Sequence, residues 1–131
     1  MSTTITFTAH YPWNRPSSGA PHTNRPYAEV LVGPHKVRVW CLVDSGADRI
    51  LLDSGLAPSA GVSLAASKKY SVSTAGGLLT VDEVSTVALD IEGASIVDTC
   101  LFAPGAMPLL GRVTLLNAFQ FGLDNKGWLH T

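Results

Sequence analysis

Charge is scarce in this chain. Of its 131 residues 15% are charged, and 9 Lys and Arg set against 10 Asp and Glu leave a formal net charge of -1. Without a basic excess there is no electrostatic footprint for nucleic acid or for an anionic membrane surface, so neither is expected as a partner. Cysteine is nearly absent. Cys41 and Cys100 lack metal-ligand spacing and are expected as buried thiols, with a single disulfide as the weaker alternative. His10, His22, His35 and His130 are scattered and are read as surface or loop residues; with no ligand cluster, no metal and no other cofactor is expected. No apolar run approaches the roughly 18 residues of a membrane span. The first residues, MSTTITFTAHYPW, carry neither a basic n-region nor an apolar h-region. The expectation is therefore a soluble, cytoplasmic protein. A G-x-S-x-G elbow is missing, which removes the usual serine hydrolase arrangement. Gly76-Gly77 falls between two apparent strands, not between a strand and a helix, which argues against a phosphate loop.

What is present is apolar and β-like. A hydrophobic fraction of 46% over this length describes one folded domain with a sizeable core. Pro12, Pro16, Pro21 and Pro26, with Ser17, Ser18 and Gly19 among them, crowd the start. Residues 1–26 are accordingly read as an N-terminal arm, with one possible edge strand at 4–8, and residues 27–131 as a single domain. Within that domain, alternation over 28–32, a turn at 33–36 and a β-branched and aromatic run over 37–43 form a hairpin that delivers Asp44 to a strand end. A short strand is expected at 50–52 and a loop or helical turn over 55–67. The apolar arms of 70–81, around Ala75-Gly76-Gly77, predict a second hairpin. Strands follow at 84–91 and 95–102, separated by Glu92-Gly93. A loop at 104–108 leads to Leu109-Leu110-Gly111-Arg112, then a short helix over 113–118 and a strand over 119–123. A turn at 124–127 precedes Trp128-Leu129. The fold class is mostly β with one short helix near the end, and no internal repeat is visible.

Elimination leaves carboxylate chemistry. The stretch CLVDSGADRILLDSG contains Asp-Ser-Gly twice, at Asp44 and at Asp53. Asp44 follows the apolar run Trp40-Cys41-Leu42-Val43, where a carboxylate is costly unless something stabilises it. Ser45 supplies a hydroxyl and Gly46 a backbone open to close approach by a second chain or a substrate. An ordinary β-turn explains the same triplet, and taken alone it leaves that reading ahead.

The triplet is not alone. Leu42-Val43-Asp44-Ser45-Gly46-Ala47-Asp48 resembles the catalytic strand of the retropepsin-like aspartic proteases. Ala75-Gly76-Gly77-Leu78-Leu79 falls where that family carries its flap hairpin, and Leu109-Leu110-Gly111-Arg112 is similar to its second conserved element, followed by a short helix. Order, spacing and β content agree with the family from about residue 25 to residue 129. The tail 115–124 looks closer to cellular and bacterial members than to retroviral ones, and the Pro-rich arm departs from the pattern. Asp53 then falls where the chain leaves the catalytic loop and reads as a turn or helix cap. Asp98, in Val97-Asp98-Thr99-Cys100, lacks the following glycine and reads as a decoy.

The resemblance implies a closed β-barrel half-lobe with a flap, active as a homodimer on a peptide or protein substrate. It implies that Asp44, Ser45 and Gly46 form the catalytic loop, with Ser45 bonding across the dimer and Gly46 offering its carbonyl to a substrate amide. Ala47 would keep the cleft floor shallow, and Asp48 would face the substrate backbone and pair with Arg112. Ala75, Gly76 and Gly77 would form the flap. Met107 and Leu109 would line side-chain pockets, although burial in the core is the safer reading for Leu109. Leu110, Gly111 and Arg112 would support the site, and for Arg112 a plain salt bridge is an equal alternative. Two rivals belong to other classes: a catalytically inactive module of the same fold that dimerises or binds peptides, and a small β-barrel binding domain in which the motifs coincide by chance.

Overall fold

Alternating burial builds the domain strand by strand. In the computed structural model, which describes residues 6–16, 25–124 and 126–131, β2 (Tyr27–Val32) buries Ala28, Val30 and Val32 and pairs antiparallel with β3 (Val37–Asp44). The period of two puts one face of the pair into the core, as the sequence pattern predicts. β4 (Ile50–Asp53) follows the Asp44 loop, and Asp53 caps the 3-10 turn Ser54–Leu56 by accepting the Gly55 N–H. One helical turn, α1 (Ala57–Ala60), ends at Gly61 in the left-handed region. α1 falls inside the loop or helical turn expected at 55–67, and the 3-10 turn begins one residue before it.

The second hairpin is longer than the sequence suggests. β5 (Lys68–Thr74) pairs with β6 (Gly77–Ile91), a strand of 15 residues that joins what the pattern divides into the hairpin arm and a separate strand at 84–91. A register shift between Val84 and Val87 lets β6 bend without ending. β7 (Ala94–Ala103) returns beside it, and β8 (Leu109–Gly111), α2 (Arg112–Ala118), β9 (Phe121–Leu123) and β10 (Gly127–His130) complete the chain.

Six strands close into a barrel. The order β2-β3-β8-β4-β7-β6 returns on itself through pairing of β2 with β6, with Val30, Leu31 and Val32 opposite Ile91, Asp90 and Leu89. β8 lies parallel to β3, Leu42 opposite Leu109 and Asp44 opposite Gly111, while β4 lies parallel to β7. The interior holds Val30, Val32, Ile50, Leu52, Ile91, Phe102, Leu110 and Leu115, all fully buried. Cys41 and Cys100 are buried there as free thiols, as expected. No helix among the described residues is long and apolar enough to cross a membrane.

Two expectations are corrected at the termini. Of the edge strand anticipated at 4–8, residues 4 and 5 lie outside the described residues and 6–8 are not strand. The strand is instead β1 (Ala9–Pro12), paired with β10 in a three-stranded sheet with β9. That register turns Tyr11 onto Trp128, ring centroids 5.0 Å apart, and leaves Pro12 at the strand's end on a sheet edge, where its missing N–H is harmless. The second correction is His130. It is 6% exposed, bonded to the Tyr11 hydroxyl at 3.0 Å and packed 4.0 Å from the Phe119 ring centroid. Tyr11 comes from the other end of the chain and Phe119 from the end of α2, so the local pattern of the last strand does not mark this histidine as buried. His10 and His35 are exposed, and His22 lies outside the described residues.

Candidate active site

β3 is the element that presents Asp44. Its antiparallel partner gives out where the Val43 N–H donates to the Pro26 carbonyl at 2.8 Å, and on its other side β8 ends at the same level with Gly111. Beyond that level the chain turns sharply. The Asp44 Oδ1 accepts the Gly46 N–H at 2.9 Å, and the Asp44 carbonyl accepts the Ala47 N–H at 3.2 Å. Asp44 is half-buried at the barrel rim, while Ser45 and Gly46 are exposed.

The loop after Asp44 is fastened from below by α2. The Arg112 N–H donates to the Ala47 carbonyl at 2.8 Å, and the Val113 N–H donates to the Asp48 carbonyl at 2.9 Å. The first N–H groups of a helix have no partner within it, so here they hold a loop instead. The Arg112 guanidinium reaches over the same loop, donating to the Ser45 carbonyl at 3.2 Å and to the Asp48 carboxylate at 2.9 Å. That pair is open to water on both sides, so its direct contribution to stability is small, and its geometric effect is to span both ends of the turn.

Gly111 explains why the two segments can touch. A Cβ built there would lie 2.4 Å from the Arg49 carbonyl oxygen and 2.5 Å from the Asp48 carbonyl carbon. Backbone occupies the space of a side chain, so glycine is required. Leu110 beside it is fully buried and anchors β8, and Leu109 is half-buried.

The hairpin of β5 and β6 turns through Ala75 and Gly76, and Gly77 has a φ of +116°, a conformation open to glycine. Ala75, Gly76 and Gly77 are exposed, and so are Val72 and Leu78 on the same hairpin. Met107, in the loop before β8, is 52% exposed.

Three further residues bear on this loop and carry no signal in local sequence. Thr114 is fully buried and its hydroxyl oxygen accepts the Ile50 N–H at 3.2 Å. Arg49 and Asn117 both donate to the carboxylate of Asp98. Asp53 is apart from the site, accepting N–H groups from Gly55 and Gly105. Among the described residues no group of three or more His, Cys, Asp or Glu could hold a metal ion. A surface groove of about 280 Å³ bounded by Leu31, Lys36, Ala88, Asp90 and Val97 includes none of the residues of the Asp44 loop.

A family model described as Aspartyl protease matches residues 28–114, a span that runs from β2 to the first turn of α2 and includes the Asp44 loop, the hairpin and β8. No curated protein matches the chain.

Proposed function

The chain belongs to the retropepsin-like aspartyl protease family, and from that premise we propose that it is an aspartic endopeptidase whose working form is a homodimer with one Asp44 from each subunit. The observation that carries the proposal is the rim position of Asp44. A half-buried carboxylate stands at a strand end, held by its own turn, with exposed Ser45 and Gly46 beside it.

Peptide hydrolysis by carboxylates needs two of them about 3 Å apart with one proton between them. One ionised carboxylate takes a proton from water as the water oxygen attacks the carbonyl carbon, and the protonated carboxyl gives its proton to the carbonyl oxygen. The tetrahedral species then collapses as the amide nitrogen gains a proton and leaves. A single Asp44 loop in a half-length chain supplies one member of such a pair. A two-fold axis through the loop would supply the second.

The remaining assignments follow residue by residue. Ser45 would bond to the partner's loop, and the exposed Gly46 carbonyl would accept a substrate amide. Ala47 and Asp48 would border the extended peptide, Asp48 held by Arg112. Ala75, Gly76 and Gly77 would close over it and exclude water. Met107 and Leu109 would contact substrate side chains, while Leu110, Gly111 and Arg112 would hold the loop. The peptide would bind through its main chain much as an added strand does.

The test is cleavage of a diverse peptide library by the parent and by Asp44→Asn, scanned from acid to neutral pH. The expected result is cleavage by the parent, bell-shaped on the acid side of neutrality because the two protons belong to the pair, and none by the variant. Folded, dimeric protein that cleaves nothing at any pH would shift the reading to a binding module of the same fold.

A further inference from the structure

Asp98 is a buried carboxylate on the barrel wall, 9% exposed, and it is not part of the Asp44 loop. Its position on β7 is saturated with donors. Oδ1 accepts the Arg49 Nη1–H at 2.8 Å and the Thr99 N–H at 2.7 Å, and Oδ2 accepts the Asn117 Nδ2–H at 3.0 Å. A carboxylate removed from water is tolerated only when paired and fully bonded, and removing one partner of such a cluster is far more damaging than the bond count suggests.

The two side chains that meet it come from the parts that hold Asp44. Arg49 ends the loop that begins at Asp44, and its backbone is the surface that Gly111 must fit against. Asn117 lies on the last turn of α2, whose first turn donates to the carbonyls of Ala47 and Asp48. The loop is thus tied to one end of α2 through its backbone. Through Arg49 and Asp98 it is tied to the other end as well.

We infer that Asp98, Arg49 and Asn117 form a positioning cluster that fixes the Asp44 loop against α2 and the barrel wall. None of the three is a catalytic residue. Their effect is on where the Asp44 carboxylate stands, and a displacement of about 1 Å at a reacting group can lower a rate by about 100-fold. The kinetic consequence rests on the aspartic peptidase reading; the mechanical consequence does not.

Two measurements keep these apart. Amide hydrogen exchange of Ala47, Arg112 and Val113 reads the loop directly in the parent, Asp98→Asn, Arg49→Met, Arg49→Lys and Asn117→Leu. Exchange at these amides should quicken in Asp98→Asn, Arg49→Met and Asn117→Leu, and stay near the parent in Arg49→Lys, which keeps a cation within reach of Asp98. With peptide substrate, well below each variant's unfolding temperature, kcat should fall about 10- to 100-fold in the same three variants while KM changes little. The pH profile should shift with it, and Arg49→Lys should restore most of the rate. Lower melting temperatures with unchanged loop exchange and unchanged kcat would overturn the inference, making the cluster structural only. Quickened exchange in the three variants, with a parent that cleaves no peptide, would uphold the positioning cluster while removing the peptidase reading.

Discussion

At the scale of single residues, Gly111 matters through what it lacks. Backbone of Asp48 and Arg49 fills its side-chain volume at 2.4 to 2.6 Å, so neither wall can yield by a rotamer change. Gly111→Ala should destabilise the protein by about 3 kcal/mol, at the upper end of overpacking effects, read by urea denaturation. A loss under about 0.5 kcal/mol, the range of neutral surface changes, would contradict this contact. The two cysteines make an opposite case, in which a reactive group is silenced. Burial pushes the Cys41 thiol up to about 12; burial, with the negative charge of Asp98 beside it, pushes the Cys100 thiol up as well. Thiolate is the reactive form, so a thiol reagent at neutral pH should label neither residue in the native state and both after unfolding. Rapid native labelling would show that the barrel interior opens.

What the sequence makes legible at this scale depends on whether the cause is local. The Asp44 triplet stands out because an apolar run ends in an acid, a feature visible within seven residues. The partnership of Arg49 with Asp98 joins positions 49 residues apart, and Asp98 reads locally as a strand residue without a role. His130 is missed for the same reason, since its aromatic surroundings are assembled from β1, β10 and the end of α2.

Among the elements, the hairpin of β5 and β6 carries a built-in pH response. Lys69 and Asp82 face each other across its base and form a close ion pair, and Ser67 also donates to the Asp82 carboxylate at 2.9 Å. The hydrogen bonds from Lys69 and Ser67 hold the Asp82 carboxyl below its ordinary value of 3.8. The folded state thus favours the charged form. The associated stability is present above the ordinary aspartate range and disappears as pH falls through the depressed value. Backbone amides near Asp82 should keep their exchange protection through mildly acid pH and lose it at the acid extreme, while Asp82→Asn should show the weaker protection at every pH. Identical protection in the variant and the parent would show that the pair contributes nothing to the hairpin.

Element types are largely readable from the sequence, and element limits less so. The period-two burial of β2 and the helix of α2 follow directly from apolar spacing. β6 is divided wrongly because Asp82 and Glu83 interrupt the alternation, and a bulge preserves the strand through a shift of register that no propensity records. β1 is misplaced by a few residues because the apolar pattern of 4–8 is as strand-like as that of Ala9–Pro12. Only the second can lay Tyr11 on Trp128.

For the whole molecule, closure of the barrel and the parallel contact of β3 with β8 are the facts on which the site rests. Both join segments far apart in sequence; closure enters the sequence reading only through a family resemblance and the contact of β3 with β8 not at all, because hydrophobic periodicity is blind to which strands pair. Closure brings the Asp44 loop, β8 and α2 to one rim. The terminal sheet of β1, β10 and β9 packs around Trp128, whose indole N–H donates to the Tyr27 carbonyl at the start of β2. Arg15 adds a second tie from the N-terminal segment, donating to Glu92 at 2.8 Å while lying over the rings of Tyr11 and Trp40. Everything needed to hold one Asp44 is thus contained in one chain. Catalysis by the proposed mechanism needs two.

Subunit mixing tests that claim most directly. Parent and Asp44→Asn chains are combined in increasing ratios, allowed to exchange, and assayed for peptide cleavage per parent chain. If the dyad is shared across a two-fold axis, mixed dimers are dead, and an equal mixture should retain about half the activity per parent chain, since random pairing leaves about half of the parent chains in parent dimers. Activity per parent chain that is unchanged at every ratio, from chains shown to exchange, would mean that one Asp44 suffices and would contradict the account.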